Sequence, residues 1–140
     1  MNKTLLMMTL CMGLTACGSD SAGNGQGNRP ATDVVEVLYF HGNQRCPTCK
    51  AIEEQTKEVI SAAFADETKD GTLVFKALDI DENEALADKY RVTWSSLILV
   101  DHDSGEEKVE DLTKFAFGNA LKSPDTFRST LAGKIKEMLN

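Results

Sequence analysis

The run Tyr39-Phe40-His41-Gly42-Asn43-Gln44-Arg45-Cys46-Pro47-Thr48-Cys49-Lys50 decides how this chain reads. Leading into it, Val34-Val35-Glu36-Val37-Leu38-Tyr39-Phe40 is rich in β-branched and aromatic residues and predicts a largely buried strand. Gly42 and Asn43 break that strand. From Cys46 to Phe64 the apolar positions Ile52, Val59, Ile60 and Ala63 recur at helical spacing. Pro47 suits a first helical turn, where its missing N–H costs nothing. A Cys-x-x-Cys pair therefore stands where a strand gives way to a helix, a position suited to redox chemistry rather than to two inert buried thiols.

Working outward, Thr72-Leu73-Val74-Phe75-Lys76-Ala77-Leu78-Asp79-Ile80 predicts a second core strand, entered through Gly71. Asp81 is placed to cap a helix over Glu82 to Lys89. Leu97-Ile98-Leu99-Val100 predicts a third strand. Asp103-Ser104-Gly105 marks a turn, and Glu106 to Leu112 predicts a hairpin return. Phe115-Ala116-Phe117-Gly118 is apolar without a clear period. Ser123-Pro124-Asp125 opens a last helix, with Ser123 as cap and one apolar face of Phe127, Leu131, Ile135, Met138 and Leu139. The order β, α, β, α, β, β, α predicts an α/β domain: a central mixed four-stranded sheet flanked by helices.

The cysteine count sharpens the reading. Of the four cysteines, Cys11 and Cys17 fall in an N-terminal segment with export features, so the expected folded domain holds only Cys46 and Cys49. Met1-Asn2-Lys3 is a short basic start. Thr4 to Leu14 is apolar apart from Thr4 and Thr9, too short to span a bilayer and the right length for a signal-peptide core. Leu14-Thr15-Ala16-Cys17 resembles the bacterial lipobox, which implies cleavage before Cys17 and acylation of Cys17 on its thiol and new amino group. Two or three acyl chains anchor a protein stably in a membrane where one does not.

The expected organisation is a signal peptide over 1–16, acylated Cys17 and a tether over 17–33, and one domain over 34–140. Gly18 to Asp33 is Gly/Ser/Asn/Asp-rich and cannot bury a core; as a coil it spans on the order of 20 Å. Export puts the domain in the cell envelope, outside the cytoplasm, where thiols are not held reduced by default. The net charge of −7 with scattered acidic residues reads as a solvated surface and argues against nucleic acid as a partner.

Leu78-Asp79-Ile80-Asp81-Glu82-Asn83, then Lys89-Tyr90-Arg91-Val92, then Leu97-Ile98-Leu99-Val100, resembles the middle of thioredoxin. There a strand ending in Asp precedes a short helix, a Lys-Tyr-x-hydrophobic run and the next strand. With the Cys-x-x-Cys, the resemblance to the thioredoxin-like superfamily covers essentially the whole domain. It implies a thioredoxin-like fold and exchange with protein or small-molecule thiols and disulfides. The run Tyr-Phe-His-Gly, the run Arg-Cys-x-Thr-Cys-Lys and a Ser-Leu further on are also similar to a small thioredoxin-like family labelled as a nitrophenyl-compound nitroreductase subunit.

Two positions depart from thioredoxin. Its cis-proline opposite the cysteines falls, by ungapped spacing, at Ser96, preceded by Trp94-Ser95. A non-proline cis bond costs ~3 kcal/mol, so proline-based substrate docking does not carry over unchanged. The buried acidic residue that assists the resolving cysteine falls at Phe40, and the neighbouring His41 points to the opposite face of the strand.

Disulfide exchange needs a thiolate and a second thiol that releases the mixed disulfide. Cys46, at the helix N-terminus, gains from free N–H groups and the helix dipole, with Arg45 adding a neighbouring positive charge. Cys46 is assigned as nucleophile and Cys49, one turn in and more buried, as resolving thiol. The ring that the pair closes is very small, so a purely structural bridge contributes little chain-entropy stabilisation. Trp94, Ser95 and Ser96 are candidates for the substrate groove, Trp94 equally for the core. No cofactor and no resident metal is expected.

Two other classes stay open. Cys-x-x-Cys is half of a zinc site and suits copper(I), which makes a metal-binding or metal-delivery protein an alternative. Its further ligands would have to include His41 or His102, more simply read as a strand-end and a solvent-facing histidine. The third reading is a noncatalytic interaction module.

Overall fold

The computed structural model describes residues 33–140, so the expected signal peptide, Cys17 and residues 18–32 of the tether lie outside the described residues. Strand β1 (Val34–His41) runs into helix α1 (Pro47–Ala63), followed by α2 (Ala65–Asp70), β2 (Leu73–Asp79), α3 (Glu84–Lys89), β3 (Ser96–Asp103), β4 (Glu106–Asp111), α4 (Thr113–Asn119) and α5 (Pro124–Met138). The sheet order is β2-β1-β3-β4. β1 pairs in parallel with β2 and antiparallel with β3, and β3 and β4 form an antiparallel hairpin. This α/β architecture, a mixed four-stranded sheet flanked by helices, is thioredoxin-like.

β1 is central, and its alternate side chains build two cores. Val35, Val37 and Tyr39 pack with Ile52, Val59 and Ile60 of α1, Ala116 of α4, and Phe127, Leu131 and Ile135 of α5. Leu38 and Phe40 point to the other face, with Ala87, Val92, Ile98 and Val100. Because β1 is buried on both faces, it reads as one apolar run instead of an alternating one. The hairpin turn carries positive φ at both Ser104 and Gly105 (50° and 90°), the geometry that matches the twist of antiparallel strands.

Two expectations need correction. Asp81 does not cap α3. Its carboxylate accepts from Asn43 at 2.9 Å, while the helix begins at Glu84 with Asn83 at the cap position and no side-chain cap bond. Ser123 holds the cap position of α5 without capping through its side chain, although Pro124 opens the helix as expected. The apolar run around Phe115 is the short helix α4. Among the described residues no helix is long and apolar enough to cross a membrane.

Candidate functional site

β1 ends at His41, and residues 42–46 turn the chain into α1. Cys46 is the N-cap of α1, in extended conformation (φ −68°, ψ 162°), with Pro47 in the first turn. Its Sγ accepts the Cys49 N–H at 3.1 Å. Capping is normally done by a side-chain oxygen that satisfies a free N–H at the helix start. Here the sulfur of the expected nucleophile occupies that place. Cys46 is exposed, whereas Cys49 is 5% exposed. The two are joined as a disulfide, with Cα atoms 5.0 Å apart.

The floor of the site is Tyr39. Its hydroxyl, buried beneath α1, donates to the Cys49 carbonyl at 2.7 Å. Burial pushes the phenol's pKa up, opposed by hydrogen bonds and charge from Arg45 and a hydrogen bond from Ser95, so Tyr39 stays a neutral donor. The Arg45 guanidinium lies over the Tyr39 ring, 5.9 Å from its centre. It is ion-paired with Glu53, which pairs also with Lys57 at 2.5 Å. The buried Arg45 Nε has no hydrogen-bond partner among the described residues.

Counting back from Cys46 places the acid-equivalent position at Phe40, and the structure corrects this. Phe40 packs in the α3-side core, while the α1 face carries Tyr39 and His41, whose rings lie 6.0 Å apart. His41 Nδ1 stands 3.8 Å from Asp79. His102 is held by Glu36 at 2.9 Å. Among the described residues no group of three His, Cys, Asp or Glu side chains is arranged to hold a metal ion.

The expected substrate loop divides. Ser95 lies near enough to Tyr39 to help hold down the phenol's pKa, which puts it at the edge of the site. Ser96 is buried; its hydroxyl donates back to the Trp94 carbonyl at 2.9 Å, and it pairs with Phe40 in the sheet. Trp94 is 57% exposed rather than core, with its ring 5.1 Å from that of Phe117. Trp94, Ser96, Phe117, Lys114 and Tyr90 help line a groove of about 390 Å³.

Sequence reasoning missed Tyr39 and Glu53 as parts of the site. The signal for Glu53 was its place one helical turn after Cys49, beside the buried Ile52.

No protein-family model matches this chain, and no curated protein matches it. Among solved structures it is similar to thioredoxin-2 of a malaria parasite, described as a component of that parasite's protein secretion machinery. The identity is 22% over 75% of this chain and 84% of that one, with a TM-score of 0.47. It is similar to Trxlp from Edwardsiella tarda, at 21% identity over 70% and 82% of the two chains and a TM-score of 0.47. A thioredoxin from Trypanosoma brucei brucei is 24% identical over 74% and 77%, with a TM-score of 0.44. At that distance these likenesses say nothing of activity, and the assignment of the fold rests on the strand order and pairing.

Proposed function

We propose that this protein is a thiol–disulfide oxidoreductase that uses Cys46 and Cys49, held by a lipid anchor at Cys17 in a bacterial cell envelope with its domain outside the cytoplasm. The observation that carries the redox reading is the asymmetry of the pair. The exposed Cys46 sulfur sits on the Cys49 N–H at the start of α1, and the Cys49 sulfur is buried behind it. A thiolate at that N-cap meets a free N–H and the positive end of the helix dipole.

In the oxidising direction a partner thiolate attacks Cys46. The new bond joins Cys46 to the partner, the Cys46–Cys49 bond breaks, and Cys49 leaves as a thiolate that takes up a proton. A second partner thiolate then attacks the partner's own sulfur and releases Cys46, leaving the partner oxidised and the pair reduced. In the reducing direction the Cys46 thiolate attacks a partner disulfide. Cys49, deprotonated, then attacks Cys46 and releases the partner as a dithiol. The loop Trp94-Ser95-Ser96 is the proposed docking edge, with Ser95 near Tyr39 and the exposed Trp94 offering a flat apolar contact.

The lipid anchor is read from Leu14-Thr15-Ala16-Cys17 and the apolar segment before it. Palmitate labelling of the expressed full-length chain tests it, and labelling that persists in Cys17→Ser overturns it. The kinship with the nitrophenyl-compound nitroreductase subunit family remains part of the proposal.

Trapping tests the redox reading. Cys49→Ser is expected to accumulate a mixed disulfide with its partner, a protein or a small-molecule thiol, that dithiothreitol releases. Cys46→Ser is expected to accumulate none. A Cys49→Ser protein that captures nothing while the wild type turns over a disulfide substrate overturns the assignment.

A further inference from the structure

Resting on the thiol–disulfide reading, we propose that Arg45 and Glu53 are positioning residues that set the redox poise of the Cys46–Cys49 pair as an opposed charge couple. Arg45 favours the thiolate of the reduced pair, and Glu53 moderates it.

The geometry is specific. Arg45 directly precedes the nucleophile, yet its guanidinium does not extend into solvent. It folds back over the Tyr39 ring, at 5.9 Å from the centre, to meet Glu53. Glu53 stands one helical turn after Cys49 on α1, and its side chain is only 14% exposed. Tyr39, under the cation, is hydrogen-bonded to the Cys49 carbonyl. A cation just before the nucleophile and an anion one turn beyond Cys49 thus bracket the stretch of chain that carries the two sulfurs. Among the described residues the only other charge bonded to them is Lys57, which pairs with Glu53 from the solvent side at 2.5 Å. Partly buried charges are screened by salt less than exposed ones.

Reduction of the pair by glutathione breaks the Cys46–Cys49 bond. Two glutathione thiols supply the two electrons and become one glutathione disulfide. Of the two protons they give up, one goes to Cys49, and the other reaches Cys46 only if that sulfur is not kept as a thiolate. A fixed cation stabilises the thiolate and so the reduced form, which makes the disulfide a stronger oxidant. An anion beside it does the opposite. The couple therefore has a signature that a purely structural clamp lacks: removing the two members moves the equilibrium in opposite directions.

The experiment is a glutathione redox titration of the full-length chain and its variants, with thermal melting of each oxidised protein alongside. For oxidation of the pair by glutathione disulfide, the equilibrium constant is expected to rise about tenfold in Arg45→Gln, a fall of about 30 mV in potential. In Glu53→Gln it is expected to fall roughly threefold, the smaller change reflecting a place seven residues beyond Cys46, where Arg45 is adjacent to it. The double variant is expected between the two single variants, about threefold above the wild type, and Arg45→Lys to retain most of the wild-type value. If Arg45→Gln does not fold, the opposite shift in Glu53→Gln and the value retained in Arg45→Lys carry the test. Shifts of the same sign in the two single variants, or none, overturn the charge couple while leaving the thiol–disulfide reading in place. A wild-type protein with no reversible two-electron couple overturns that reading first.

Discussion

Tyr39 reaches across ten residues of chain to donate its hydroxyl to the carbonyl of Cys49 at 2.7 Å. This bond ties the central strand to the first turn of α1. It occupies the place beneath the cysteines where the thioredoxin resemblance leads one to look for a buried carboxyl. A phenol there brings no charge, so electrostatic control of the pair falls to the Arg45–Glu53 couple above it.

Tyr39→Phe keeps the ring in the core and deletes only the donor. A buried hydrogen bond of this kind contributes about 1 kcal/mol, and the unpaired carbonyl adds to the loss. The variant is expected to unfold at lower urea concentration with an unchanged slope, by about 1–2 kcal/mol in all. An unchanged midpoint would mean that the hydroxyl does not hold the turn.

Glu36 carries a pH dependence. Burial raises its pKa, but hydrogen bonds and charge from Lys76 and His102 outweigh burial and hold the carboxyl below its usual value. A carboxyl whose pKa is lowered by folding stabilises the fold above the unfolded-state value of about 4.3. That stabilisation is lost as pH falls through the folded value. Glu36→Gln is therefore expected to flatten the acid limb of a stability–pH profile below about pH 4.5 and to lower stability at neutral pH. Urea melts at intervals between about pH 3 and pH 7 check it, and an acid limb as steep as the wild type's would remove Glu36 from the account.

β4, whose single apolar residue Val109 is exposed, was legible only from the turn before it, whereas β1, β2, β3, α1 and α5 were legible because each carries an apolar pattern of its own. The Cys-x-x-Cys at the strand–helix junction was legible for the same reason, since sequence spacing alone places it. α2 has no buried residue and hence no stripe to read. α4 is about two turns holding three consecutive apolar residues, too short for a period to show. Asp81 looked like a cap because it precedes a helical run. Yet Asp79 takes the Asp81 N–H at 2.9 Å, and the chain closes a turn, with the Asn83 N–H on the Asp79 carbonyl at 3.0 Å, before the helix starts at Glu84. The floor of the site was not legible at all. The choice between Phe40 and Tyr39 depends on where β1 ends, which is at His41, and a shift of one residue exchanges the two faces of a strand. Arg45 meeting Glu53 is a side-chain geometry that no spacing rule encodes.

The end of α3 offers the last prediction. The Arg91 N–H bonds the Asp88 carbonyl at 3.1 Å, and the Val92 N–H bonds the Ala87 carbonyl at 2.8 Å. Those two bonds make a Schellman ending, with Val92 and Ala87 meeting in the α3-side core as the motif requires. The motif needs a left-handed residue, and here that residue is Arg91, at φ 56°. An L-residue in that conformation costs ~1–2 kcal/mol, which glycine avoids while losing more backbone freedom on folding. Arg91 is exposed, and no ion pair is seen for it among the described residues, so little else is lost with its side chain. Arg91→Gly is expected to stabilise the domain by about 0.5–1 kcal/mol and to raise the thermal midpoint by ~3 °C. Arg91→Ala, which removes the same side chain but keeps the strain, is expected to give no such gain. Equal midpoints for the two variants would show that the left-handed turn carries no strain worth relieving.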